Sequence, residues 1–171
     1  MASGDNAKYM EQLHELAAQD IDTQCKAFLR AFVMDLQGRF EEVLALADAF
    51  RAATEDPKTS HDMDEQHAHM FLEKQGDAQT VVALREKLRE INLLMDRRMS
   101  FVEYALFRYK KPLKGLFEAA PPAALLARLE KAIDTYNAAR KARTDREERI
   151  AELTKTVEAG GPGAGGAKAE L

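Results

Sequence analysis

The chain has 171 residues, 46% apolar and 32% charged, with no Trp, a single Cys and a formal net charge of −4. That length supports one domain with a core, Cys25 alone excludes an internal disulfide framework, and the acidic balance gives no general attraction for nucleic acid phosphates. The abundance of Ala, Leu, Glu, Lys and Arg favours an all-α fold.

Residues 1–8 lack the basic start and apolar run of a signal peptide, and no apolar stretch reaches membrane-spanning length, so neither secretion nor a membrane partner is expected. A reducing setting in the cytoplasm or cytoskeleton follows. An N-terminal helical segment, 1–19, precedes a stretch from 20 to 53 that opens with the cap candidates Asp20, Asp22 and Thr23. Cys25, Phe28, Leu29, Phe32, Leu36, Phe40, Val43, Leu44, Ala47 and Phe50 then recur at three- and four-residue spacing, which predicts one central amphipathic helix.

A polar break from Thr54 to Ser60, with Pro57, leads to a shorter helix carrying Met70, Phe71 and Leu72 that stops near Gly76. Asp77 is a candidate cap for a helix bearing Val81, Val82, Leu84, Leu88 and Ile91. Asn92 to Met99 has no helical periodicity and reads as a loop. Ser100 and Glu103 form a capping-box pattern ahead of a helix from about Phe101, and Pro112 marks its exit. Pro121 and Pro122 suit the first turn of a long final helix over 119–158, whose apolar stripe is interrupted between Arg140 and Arg149. The tail, 159–171, has five glycines and one proline and is expected to be flexible.

The stretch LREINLLMDRRMSFVEYALFRYKK, residues 88–111, runs helix, loop, helix without a spacer, in the manner of an EF-hand. Counting a twelve-residue loop back from Glu103 puts Asn92 at position 1, Leu94 at 3, Asp96 at 5, Arg97 at 6, Arg98 at 7 and Ser100 at 9. Calcium needs about six to eight oxygens and a glycine at the turn, but Leu94 has no side-chain oxygen and Arg97 replaces the glycine. Asp96 and Glu103 are also balanced by Arg97 and Arg98. Asn92, Asp96, Arg98, Ser100 and Glu103 are thus the candidate ligands of a degenerate loop that binds calcium weakly or not at all, and no other cofactor is expected. Glu103 is explained equally well as a helix-capping residue.

Met63 lies 36 residues before Met99, the usual separation of equivalent positions in paired EF-hand loops, which makes Asp56 position 1 and His67 position 12 of a still poorer loop. An EF-hand-like core over 20–118 follows, with Phe71, Leu88, Phe101, Tyr104 and Phe107 packed together. His61, His67 and His69, among Asp62, Asp64 and Glu65, read as a solvated polar turn, since zinc needs convergent ligands.

On these residues the chain resembles the calcium-regulated actin-bundling proteins first known from amoebae, whose middle contains such an EF-hand pair. Weaker similarity runs through QCKAFLRAF, HDMDEQHAHMFLEK and ARLEKAIDTYNAARKARTDREERIAELTK. The resemblance implies a cytoskeletal protein that binds actin filaments, or another cytoskeletal partner, and has no small-molecule substrate. The family continues beyond a glycine-rich linker, so weak or absent bundling is expected.

Two basic clusters suit an acidic partner surface: Arg108, Lys110, Lys111 and Lys114, and Arg140, Lys141, Arg143, Arg146 and Arg149. The second reads equally as a solvated helix laced by ion pairs. A calcium sensor and a helical adaptor in a filament or ciliary assembly are the competing functions. No nucleophile, base or phosphate-loop signature points to an enzyme.

Overall fold

Asp20 sets the start of the first buried helix pair, its carboxylate accepting the Thr23 N–H at 2.7 Å. The computed structural model describes residues 2–76 and 80–160. In order these form α1 (Ala2–Ala17), α2 (Ile21–Ala31), α3 (Phe40–Ala53), β1 (Asp62–Met63), α4 (Glu65–Lys74), α5 (Val81–Ile91), β2 (Met99–Ser100), α6 (Phe101–Arg108), α7 (Leu113–Glu118) and α8 (Ala123–Ala159). The described residues are all-α apart from one two-residue strand pair, as the composition implied. No described helix is long and apolar enough to cross a membrane.

The single central helix expected over 20–53 is two helices. Between them the N–H groups of Asp35 and Arg39 bond three residues back, to Phe32 and Leu36, and Gly38 adopts a left-handed φ of 80°. Phe32, Val33 and Leu36 are all buried across this turn, so the apolar spacing persists where the α-helical ladder does not.

Pro112 does more than end α6: it caps α7, a helix absent from the sequence reading. Gly115 lets α7 approach α2, since a Cβ there would lie 2.9 Å from the Phe32 ring. Pro121 and Pro122 lie ahead of α8, not in its first turn. The Pro122 carbonyl accepts the N–H groups of Leu125 and Leu126 at 3.1 and 3.2 Å, which makes it the cap. Asp77 lies outside the described residues, and α5 is capped by the Thr80 hydroxyl, which accepts the Ala83 N–H at 3.1 Å.

The paired-loop expectation holds. β1 and β2 run antiparallel with Met63 opposite Met99 and Asp62 opposite Ser100, and both methionines are buried. Beneath them Phe50, Phe71, Phe101 and Tyr104 form one aromatic cluster: the Phe71 and Tyr104 rings lie 5.0 Å apart and Phe50 lies 5.4 Å from Phe71 and 5.6 Å from Phe101. Leu88 and Phe107, expected in the same core, are only half-buried. Phe107 instead carries the Lys87 ammonium 5.0 Å from its ring centroid.

Gln24 is the buried polar residue that ties this core together. Its amide nitrogen donates to the carbonyls of Ala17, Gln19 and His61 at 3.2, 2.8 and 2.9 Å, and its oxygen accepts the Val102 N–H at 3.1 Å. One side chain therefore joins the α1–α2 link to the ends of both loops.

The chain divides into two units, one through Glu130 and one from Lys131. In the first, Glu130 pairs with Lys26 and Arg30, and Leu129 is fully buried. In the second, α8 continues to Ala159 with residues 141–152 exposed on every side, and Gly160 ends it at φ 63°. The tail from residue 161 lies outside the described residues.

Candidate functional site

The second loop satisfies its polar atoms internally. Asn92 Oδ1 accepts the Asp96 N–H at 3.3 Å and Asp96 Oδ1 accepts the Arg98 N–H at 2.9 Å. Glu103 is 1% exposed; its Oε1 accepts the Leu94 N–H at 3.0 Å, while Oε2 accepts the Ser100 N–H at 3.1 Å and the Ser100 hydroxyl at 2.7 Å. The Glu103 N–H bonds back to Ser100 Oγ, completing the capping box read from sequence. Burial pushes the Glu103 carboxyl above its ordinary pKa, against the lowering effect of the Ser100 and Leu94 hydrogen bonds.

Arg97 holds the left-handed turn that an EF-hand assigns to glycine, at φ 61°, and Met95 is also left-handed at φ 56°. Arg98 leaves the loop: its guanidinium donates to Asp62 Oδ1 at 2.7 Å and to Glu55 Oε1 at 3.0 Å. Burial opposes the charge, and these two carboxylates more than restore it. The side-chain oxygens of Asn92, Asp96, Ser100 and Glu103 thus cap backbone N–H groups, and position 3 supplies no side-chain oxygen. These residues do not fit calcium.

The first loop is closed in the same way. Asp56 accepts the Lys58 N–H at 3.0 Å and the Thr59 hydroxyl at 2.7 Å, and these bonds hold its carboxyl below the usual range. Asp64 caps α4 through the His67 N–H at 2.8 Å and meets the His67 ring at 2.7 Å, which lowers its pKa likewise. Glu55, unremarked in the sequence, gathers with Asp64 and His67, their ligand atoms within 4.8 Å of one another. Arg98 already neutralises Glu55 there. His61 and His69 stand apart, beside Asp62 and Glu65 respectively.

Residues 98–171 match the family model described as F actin bundling C terminal. The sequence resemblance to the amoebal actin bundlers is borne out. The crystal structure of the 34 kDa F-actin bundling protein from Dictyostelium discoideum is similar, with a TM-score of 0.66 at 20% identity over 96% of this chain and 77% of that one. At that identity the likeness establishes the all-α fold. No curated protein matches the chain.

Both basic clusters fall inside the stretch that matches the bundling family. In the first, Arg108 ends α6, Lys110 and Lys111 lie in the following turn, and Lys114 is in the first turn of α7. Lys111 is committed inward, 2.8 Å from Asp35 and 5.7 Å from the Phe32 ring centroid. Lys110 is exposed with a φ of 53°, and the Lys114 side chain is 70% exposed with Glu118 at 3.5 Å. Beside them the Tyr109 hydroxyl donates to Glu42 at 2.9 Å while Arg39 pairs with Glu42 at 2.7 Å. Burial and that bond raise the Tyr109 pKa, and the Arg39 bond lowers that of Glu42. Asp35 and Glu42 therefore offset part of this positive face.

The second cluster lies on α8 in the second unit, where Lys141, Arg143 and Arg146 are exposed and form no ion pair among the described residues. The ion-pair lacing anticipated from their acidic neighbours is not formed by these three.

Proposed function

We propose that this chain is a structural, actin-filament-binding protein of the cytoplasm and cytoskeleton whose EF-hand pair no longer answers to calcium. The family match over residues 98–171, which contains both basic clusters, carries the reading. The filament contacts are assigned to Arg108, Lys110, Lys111 and Lys114 and to Arg140, Lys141, Arg143, Arg146 and Arg149, with Lys110, Lys114, Lys141, Arg143 and Arg146 the side chains best presented to an acidic surface.

Co-sedimentation with filamentous actin tests this. Wild type pellets with filaments at low salt and less so as salt rises, because exposed charges are screened over about 8 Å at physiological ionic strength. The variants Lys110→Glu with Lys114→Glu, and Lys141→Glu with Arg143→Glu, pellet less while keeping wild-type helicity. Lys111 is left intact so that its bond to Asp35 survives. If wild type stays in the supernatant at low salt, the exposed stretch of α8 favours a helical adaptor that pairs with another helix in a cytoskeletal assembly.

A further inference from the structure

Arg85, Leu88 and Arg89 lie at three- and four-residue spacing on one stripe of α5, and Asn92 caps its end. That stripe faces α4 across a cleft of about 490 Å³, floored by Ala68, Leu88 and Met99 and rimmed by Arg85, Arg89 and Arg97. All three rim arginines are exposed, and among the described residues none of them has an ion pair. Arg98 also reaches the cleft, but Asp62 and Glu55 hold its guanidinium. Among the described residues the lining has one carboxylate, Glu65, which lies 3.8 Å from His69.

Three guanidinium groups with no ion pair among the described residues, around an apolar floor in a chain of net charge −4, form a recognition feature with a defined complement. Each presents a planar fork that meets a carboxylate through two parallel hydrogen bonds. Arg85 to Asn92 spans about 10 Å of helix, the length of about three extended residues. An apolar side chain between two acidic ones would rest on Leu88 and Met99 while its neighbours met the arginines. Nucleic acid suits the cleft less well, because no aromatic side chain among the described residues lines it to stack on a base.

We infer that the α4–α5 cleft docks a short acidic peptide segment carrying one apolar residue, its carboxylates on Arg85, Arg89 and Arg97. None of the cleft's described lining residues belongs to either basic cluster assigned to filaments. It stands independently of the filament reading, since its test contains no actin.

The test is fluorescence anisotropy of a labelled Asp-Glu-Leu-Glu-Asp peptide with the full chain at low salt. Binding is expected, weakening as salt rises and on exchange of the peptide's Leu for Ser. The Arg85→Glu, Arg89→Glu double variant is expected to bind at least about tenfold more weakly with unchanged helicity and melting. The Lys141→Glu, Arg143→Glu variant is expected to bind as wild type does. Failure of the wild-type chain to bind, equal affinity in the double variant, or equally tight competition by a single-stranded oligonucleotide of matched charge would each overturn the inference.

Discussion

Glu103 Oε1 accepts the Leu94 backbone N–H at 3.0 Å, which joins the last position of the second loop to its third without an intervening ion. With Ser100 also bonded to Oε2, one buried carboxylate organises the loop that calcium organises in a working EF-hand. Truncating it by Glu103→Ala leaves the Leu94 and Ser100 N–H groups without their acceptor. A loss of about 2–3 kcal/mol is expected in urea unfolding.

The same carboxylate gives a pH signature. Its folded pKa is raised by burial, so its contribution to stability is fully present below the unfolded value and is lost as pH rises through the folded one. Asp56, Asp64 and Glu42 are shifted the opposite way and lose their contributions as pH falls through their folded values, in wild type and in Glu103→Gln alike. The stability difference between wild type and Glu103→Gln is therefore expected to favour wild type most at acid pH and to shrink as pH rises. A difference independent of pH would contradict the burial argument.

Arg97 occupies a left-handed conformation at a position where glycine carries no side-chain penalty. That conformation costs about 1–2 kcal/mol for an L side chain, and glycine returns about 0.5–1 kcal/mol of that through the entropy of the unfolded chain. Arg97→Gly is expected to stabilise the protein by about 0.5 kcal/mol, read from the denaturation midpoint. A destabilised variant would mean that the guanidinium makes a contribution outweighing the strain.

Gln24 connects the nearby carbonyls of Ala17 and Gln19 to the His61 carbonyl and the Val102 N–H, which lie 37 and 78 residues from it. Gln24→Ala combines a buried cavity with unpaired backbone groups and is expected to cost about 2–4 kcal/mol. Gln24→Leu refills the volume but leaves the Val102 N–H unpaired, so it should recover only part of the loss. Full recovery by Leu would show that volume, and not hydrogen bonding, sets the value of the site.

Calcium is expected to leave the protein unchanged. Millimolar calcium should move neither the helical signal nor the melting temperature, and calorimetric titration should be flat. A micromolar isotherm would contradict the reading of Leu94, Arg97 and the committed Glu103 carboxylate.

What could be read from the sequence was local or periodic. The Ser100–Glu103 capping box and the Asp20 cap need partners only three residues away, and the interval from Met63 to Met99 identified the facing loops. Periodicity failed between Phe32 and Arg39 because buried side chains kept a helical spacing through a turn. The short α7 was hidden behind Pro112, which serves equally to stop one helix and to start the next. The sequence by itself determined the all-α class, the degenerate character of both loops and where the basic residues cluster. Only the tertiary structure decided which polar side chains remain available: it turned Arg98 onto Asp62, Lys111 onto Asp35 and Gln24 onto Val102, and left Arg85, Arg89 and Arg97 without ion pairs among the described residues. The physical reason is that a cap or turn forms within a few residues of chain, whereas these contacts join groups 36, 76 and 78 residues apart and depend on how the helices pack.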